Sequence, residues 1–164
     1  MEIEKNISLA KFSSLRVGGP ADFFARISSI EGLQNALKFA RDKKLRILIL
    51  GAGTNILFSD AGFRGIVLKI ENRGVGFATK KVRGRKIEFA QIAAGENLAK
   101  FVRTAAEKNF DFAELCGIFG SVGGAIAQNA GAMGAEISDF LVSANLVDLK
   151  TGKLFVAKKP FFQF

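Results

Sequence analysis

The sequence predicts an α/β or α+β sheet protein, built as one domain of ordinary size or as two small lobes sharing a site. Helix-like and strand-like segments alternate along the chain, with no internal repeat and no low-complexity linker. The 164 residues are 49% hydrophobic and 24% charged, enough apolar matter for a core and too little charge for disorder. The third observation is the stretch Cys116–Glu136, CGIFGSVGGAIAQNAGAMGAE, with glycines at 117, 120, 123, 124, 131 and 134. Such density is unfavourable for an ordinary helix and too irregular for a linker. It reads as backbone laid closely against a ligand.

From the N-terminus, Gly18-Gly19-Pro20-Ala21 marks a turn before a short apolar strand, Phe23–Ile27. Ser28 and Glu31 fit a capping box, and Leu33, Ala36, Leu37 and Ala40 repeat at helical spacing. The helix should end near Lys43-Lys44, cations suited to the negative end of its dipole. Arg46–Leu50 is a short continuous apolar run, read as a buried strand. It runs into Gly51-Ala52-Gly53-Thr54-Asn55-Ile56-Leu57. A strand entering Gly-x-Gly-Thr-Asn can turn several backbone N–H groups toward one point, as phosphate cradles do. Taken alone, the motif reads better as a plain turn. Ile56 stands where a dinucleotide fingerprint has its third glycine, and no Gly-Lys-Ser/Thr follows for a P-loop.

Ile66–Ile70 is a further strand, and Ile87–Ala93 another. Between them lies the one basic run, Lys80-Lys81-Val82-Arg83-Gly84-Arg85-Lys86, which fits a solvated hairpin tip at least as well as a nucleic-acid patch. Asn97 is placed to cap a helix burying Leu98, Phe101, Val102 and Ala105. Glu96 at that junction is either a polar ligand contact or an acid favoured by the helix N-terminus. Leu141–Leu149 and Leu154–Ala157 close the chain as two strands around Lys150–Lys153. A boundary near residue 70 divides a first lobe, 1–70, from a second, 71–164.

Composition excludes several classes of chemistry. There is no His, so a His-dependent triad or acid–base catalyst is ruled out, and the single Cys116 leaves no internal disulfide. A zinc site would have to rely on carboxylates. No apolar run reaches the ~20 residues of a membrane span, and Met1–Lys5 carries acids where a secretory signal has a basic region; the default location is the cytoplasm. The net charge of +9 suggests an anionic partner, either nucleic acid or a phosphate-bearing small molecule, or else a compositional habit. Seventeen Phe with no Tyr or Trp favours such a habit.

Several motifs in chain order resemble the UDP-N-acetylenolpyruvoylglucosamine reductases (MurB). They are Arg16–Asp22, Leu50–Leu57, Gly62–Gly65, Ala93–Glu96, Gly117–Ala125 and Gln128–Glu136, spanning nearly the whole chain. The resemblance implies an α+β, two-lobed FAD-binding domain of the vanillyl-alcohol-oxidase (PCMH) type. It implies that Leu50, Gly51, Ala52, Gly53, Thr54, Asn55 and Ile56 bind the cofactor, with Gly51 to Asn55 at the FAD pyrophosphate. It places Gly117, Gly120, Ser121, Val122, Gly123, Gly124, Asn129, Gly131 and Ala132 along the same cofactor. The reaction it implies is NADPH-dependent reduction of UDP-N-acetylglucosamine-enolpyruvate to UDP-N-acetylmuramate; no nucleic acid, membrane or metal is implied.

Two positions depart from the family pattern. Phe119 stands where Pro is usual, and Met133 where an aromatic is common. The resemblance also implies a catalytic Arg in a Tyr-Arg-x-Ser segment, a catalytic Ser in a substrate lobe, and a late Glu. These are expected beyond Phe164, so no catalytic residue is assigned within 1–164. A truncated enzyme is the expectation, with a catalytically incomplete flavin-binding module or degenerate remnant as the alternative. Phe161, Phe162 and Phe164 are expected to lie under further chain, since exposed they form an apolar patch.

Overall fold

The computed structural model describes residues 2–82 and 84–164, so Arg83 of the basic run lies outside the described residues. The first lobe is a sheet of β1 (Glu4–Ser8), β2 (Pro20–Ile27), β3 (Ile47–Leu50) and β4 (Phe63–Ile70), in spatial order β1-β2-β4-β3. β2 and β3 both run parallel to β4, and β1 pairs antiparallel with β2. Helix α1 (Ile30–Asp42) makes the crossover from β2 to β3.

Alternation along β4 builds both faces of this sheet. Ile66 and Leu68 pack with Ala36, Leu37 and Ala40 of α1, while Val67 points oppositely to meet Leu9, Phe24, Leu50 and Phe58. A register shift between Ala21 and Phe23 lets Ala21 and Phe24 share the second face despite their odd spacing.

Two local expectations are corrected, and one strand was not anticipated. The N-cap of α1 is Ser29, whose Oγ accepts the Gly32 N–H at 3.0 Å, so Ser28 and Glu31 form no capping box. The run Arg46–Leu50 forms the edge strand β3, not a buried one, and Ile49 is 42% exposed. The strand β1 carries no apolar alternation that would have announced it; pairing with β2 makes it a strand.

The second lobe begins with the hairpin β5 (Val75–Val82) and β6 (Arg85–Ile92). Lys80, Lys81, Arg85 and Lys86 are exposed near its tip, as a solvated turn requires. Helix α2 (Leu98–Glu107) follows, with the Asn97 side chain accepting the Lys100 N–H at 2.8 Å. Leu98, Phe101, Val102 and Ala105 are its buried face, packed with Leu115, Ile118, Val122 and Ala125.

The glycine-rich stretch does contain a helix, contrary to the sequence expectation. α3 (Val122–Ala127) is short, and it leads into the paired β7 (Gly131–Ala132) and β8 (Ala135–Glu136) and the one-turn α4 (Ile137–Phe140). The last hairpin, β9 (Ser143–Val147) with β10 (Leu154–Lys158), returns to the first lobe. Gln34 Nε2 donates to the Gly152 carbonyl at 2.9 Å, and Val147 packs beside the α1 core. After β10, Phe161 and Phe162 stack edge-on at 5.7 Å and Phe162 stacks on Phe164 at 5.3 Å. Phe161 and Phe164 nevertheless stay exposed.

Candidate functional site: a cleft between two glycine loops

The loop leaving β3 is shaped by what holds its carbonyls. The Gly51 carbonyl accepts Lys69 Nζ, and the Gly53 carbonyl accepts the Ser14 N–H at 2.9 Å. The Ile56 carbonyl takes Ser13 Oγ at 3.2 Å, and Ser14 Oγ makes a longer contact of 3.4 Å to the Thr54 carbonyl. In a planar trans peptide the C=O and the following N–H point in opposite directions. Tying back the carbonyls of 51, 53 and 54 therefore turns the N–H groups of Ala52, Thr54 and Asn55 the other way. Among the described residues, none of these three N–H groups donates to a protein acceptor. Gly53 makes the bend possible: its φ is +78°, and a Cβ there would lie 1.8 Å from the Phe12 carbonyl oxygen.

The facing wall is the segment before α3. Ser121 bridges antiparallel to Asn97, with Leu98 N–H bonded to Gly120 O at 3.0 Å and Val122 N–H to Glu96 O at 2.9 Å. The Gly123 N–H goes to Ala94 O at 2.8 Å, and the Gly124 N–H reaches Ser121 Oγ at 3.3 Å. The N–H groups of Val122, Gly123 and Gly124 are therefore engaged within the protein. On this wall the backbone donors left without a protein acceptor, among the described residues, include Gly120 and Ser121. The walls nearly touch. A Cβ on Gly51 would sit 2.5 Å from Ser121 Oγ, and one on Gly120 would sit 3.0 Å from Thr54 Oγ1.

Between them lies a cleft of about 200 Å³, lined by Ala52, Lys69, Arg73, Gly120 and Ser121 among others. It suits one polar portion of an extended ligand. Its charge is mainly cationic, from Lys69 and Arg73 against Glu71. Burial holds the Lys69 ammonium below the ordinary lysine pKa; Glu71 opposes this shift, while Arg26 and Arg73 add to it.

The remaining sequence-predicted residues are not among those lining the cleft. Gly117 lies against Ala132, where an added Cβ would be 3.8 Å from the Ala132 Cβ. Gly131 and Ala132 form β7, and Asn129, at φ +44°, accepts the Ser138 N–H at 3.2 Å and donates to Glu136. Leu50 and Val122 point into the two cores. Phe119 and Met133 are 80% and 90% exposed. Glu96 has a role outside both sequence readings: its Oε1 accepts the Gly74 N–H at 2.9 Å and its Oε2 lies 3.7 Å from Arg73 Nη1. Sequence reasoning missed Lys69, Arg73, Ser13 and Ser14. The one available signal was Lys69, a lone charge inside the strand Ile66–Ile70.

Two glycine loops with free N–H groups, facing one cationic cleft between α+β lobes, is an arrangement for an extended anionic ligand. Residues 21–158 match the family described as the FAD binding domain. The chain belongs to the FAD binding domain family. It is 34% identical over 98% of its length to UDP-N-acetylenolpyruvoylglucosamine reductase of Aquifex aeolicus, covering 52% of that protein. It is 40% identical over 87% of its length to the reductase of that name from Lachnoclostridium phytofermentans, covering 46% of it. Among solved structures, UDP-N-acetylenolpyruvylglucosamine reductase (MurB) of Thermus caldophilus superposes with a TM-score of 0.76 at 25% identity, over 98% of this chain and 54% of that one. A VAO-type flavoprotein of Myceliophthora thermophila shares the fold, with a TM-score of 0.65 at 18% identity over 85% of this chain and 26% of that one.

This FAD binding domain thus spans about half the length of the curated relatives it matches. Its fold is the α+β fold of the MurB and VAO-type flavoproteins. FAD is the cofactor of the family, and the residues present fit it. A dinucleotide diphosphate is anionic and extended, and the cleft offers unpaired backbone donors from both lobes with two cations behind them.

Proposed function

We propose that the chain is the FAD-binding part of an NADPH-dependent UDP-N-acetylenolpyruvoylglucosamine reductase, a cytoplasmic oxidoreductase forming UDP-N-acetylmuramate for peptidoglycan. Two lobes, 1–70 and 71–164, hold the cofactor between them. The observation that carries the reading is the set of unpaired N–H groups of Ala52, Thr54, Asn55, Gly120 and Ser121, drawn from both lobes. Similarity to reductases of that name over nearly the full chain supports the substrate.

FAD, when bound, supplies the hydride chemistry that connects a nicotinamide donor with an enolpyruvyl acceptor. The chain's own residues do the holding. Gly51–Ile56 and Gly120–Ser121 direct backbone donors at the diphosphate, and Lys69 and Arg73 balance its charge. Gly117, Asn129, Gly131 and Ala132 extend the same wall along the cofactor. No group within 1–164 is assigned to proton transfer.

Titration of the chain with FAD, followed by flavin fluorescence, tests the binding. Saturable 1:1 binding is expected, and its absence defeats the reading. NADPH oxidation that depends on UDP-N-acetylglucosamine-enolpyruvate then separates a reductase from a flavin-binding module, which would bind FAD without turnover.

A further inference from the structure

Lys69 is the one charged side chain in the apolar run Ile66–Ile70 of the central strand β4. Its neighbours Val67 and Leu68 are fully buried, and its own ammonium is partly withdrawn from water. A strand position of this kind is ordinarily apolar, because desolvating a cation is unfavourable without a partner. Its partner here is the Gly51 carbonyl, the first of the loop. No carboxylate forms an ion pair with it among the described residues. The charged groups around it are Arg26 on β2 and Glu71 and Arg73 on the segment leaving β4, with Glu96 beyond, held to Arg73. Glu71 is itself engaged by Arg26 at 2.9 Å.

We propose that Lys69 is the positioning residue of the cofactor loop, fixing the plane of the Gly51–Ala52 peptide so that the Ala52 N–H is presented to the FAD diphosphate. The geometry is that of one rigid unit: holding the carbonyl oxygen sets the direction of the N–H across the same planar peptide. Ser14 does the same for the peptide after Gly53 through a backbone N–H, which any residue supplies. At Gly51 the tie is a side chain, so substitution can remove it. The tie also carries charge: an ammonium donor makes a stronger bond than a neutral one, and at the rim of an anion site it adds attraction. Its strength therefore depends on the proton, which Lys69 gives up at lower pH than a solvated lysine.

This proposal rests on the FAD reading above, and one experiment separates the two. FAD dissociation constants are measured by fluorescence for the unaltered chain, Lys69→Met and Lys69→Arg, from pH 7 to 9.5, with melting temperatures of the apo proteins. Lys69→Met should bind FAD about 10- to 100-fold more weakly, the range of a lost charge-assisted bond. Lys69→Arg should recover most of that loss. The affinity of the unaltered chain should fall as pH rises, while the Lys69→Met profile should be flatter over the same range. Equal affinity of Lys69→Met and the unaltered chain overturns the proposal and leaves the FAD reading intact. So does a pH profile that is the same in both. If Lys69→Met fails to fold, Lys69→Arg decides: arginine keeps its charge over this range, so its affinity should stay level while that of the unaltered chain falls, and the same pH profile in both overturns the proposal. No FAD binding by the folded, unaltered chain overturns both.

Discussion

At the scale of single residues, Gly53 has the least freedom to change. Its φ of +78° disfavours any Cβ by about 1–2 kcal/mol. A Cβ would also meet the Phe12 carbonyl oxygen at 1.8 Å, which is backbone and cannot swing away. Gly53→Ala should therefore destabilise the chain by about 2 kcal/mol or more, read as a lowered urea midpoint, and should abolish FAD binding. An unchanged midpoint would show that the bend is not required. Asp148 makes a second residue-scale prediction. Bonds from the Thr151 hydroxyl at 2.7 Å and the Thr151 N–H at 2.6 Å hold its carboxyl below the usual aspartate pKa. A depressed folded pKa means stabilisation present above the ordinary aspartate value, about 3.9, and lost as pH falls through the folded one. Asp148→Asn should flatten the acid limb of stability below about pH 4, visible in thermal melts taken across that range. Sequence could show the glycines of this loop, because their chemistry is local. It could not show Lys69 or Ser14, since their partners lie 18 and 39–40 positions away along the chain.

At the scale of elements, the amphipathic helix α2 was legible in full and α3 was not. Leu98, Phe101, Val102 and Ala105 have the period of a helix face, and Asn97 has the right side chain at the right offset. Asn97→Ala should lower stability by about 1 kcal/mol, the usual worth of a cap, and a urea midpoint equal to that of the unaltered chain would contradict it. For α1 the cap was misplaced by one residue. Ser28 and Ser29 are equivalent by composition, and only the backbone geometry decides that the Ser29 oxygen meets the Gly32 N–H. Helix α3 defied propensity because its first turn is held from outside. Gly123 and Gly124 are poor helix formers, yet the Glu96 and Ala94 carbonyls and the Ser121 hydroxyl receive the N–H groups of Val122, Gly123 and Gly124. These are tertiary contacts and leave no local pattern. The N–H groups of Val122, Gly123 and Gly124 are thus spent on building the wall, while those of Gly120 and Ser121, just before the helix, have no protein acceptor among the described residues.

At the scale of the molecule, the two lobes have separate cores joined by polar contacts. The second-lobe core draws on residues 77–140, and the first-lobe cores draw on residues 3–70 and Val147. Where the chain passes from one core to the other, Asn72 Oδ1 accepts the Gly95 N–H at 2.9 Å, Arg73 Nη1 donates to the Gly95 carbonyl, and Glu96 Oε1 accepts the Gly74 N–H at 2.9 Å. The Arg73–Glu96 ion pair adds little, since Arg73 is 60% exposed and solvent screens it. The Glu96 bond to Gly74 matters more, because the Glu96 side chain is only 13% exposed. It holds the link between β4 and β5 against the segment that presents Gly120 and Ser121. Removing it by Glu96→Ala should weaken the junction by about 1.5–3 kcal/mol, the net worth of one such bond to a charged acceptor. Neither apolar core would be touched. The expected signature is a loss of cooperativity: a smaller urea m-value, or two separated transitions with the second lobe melting first. FAD bridges both lobes in the proposed site, so ligand at about 100 times its dissociation constant should restore about 2.7 kcal/mol and merge the transitions again. If Glu96→Ala instead unfolds in one step with the unaltered m-value and midpoint, the Glu96 bond is not what couples the lobes. The cofactor would then stabilise an already single cooperative unit.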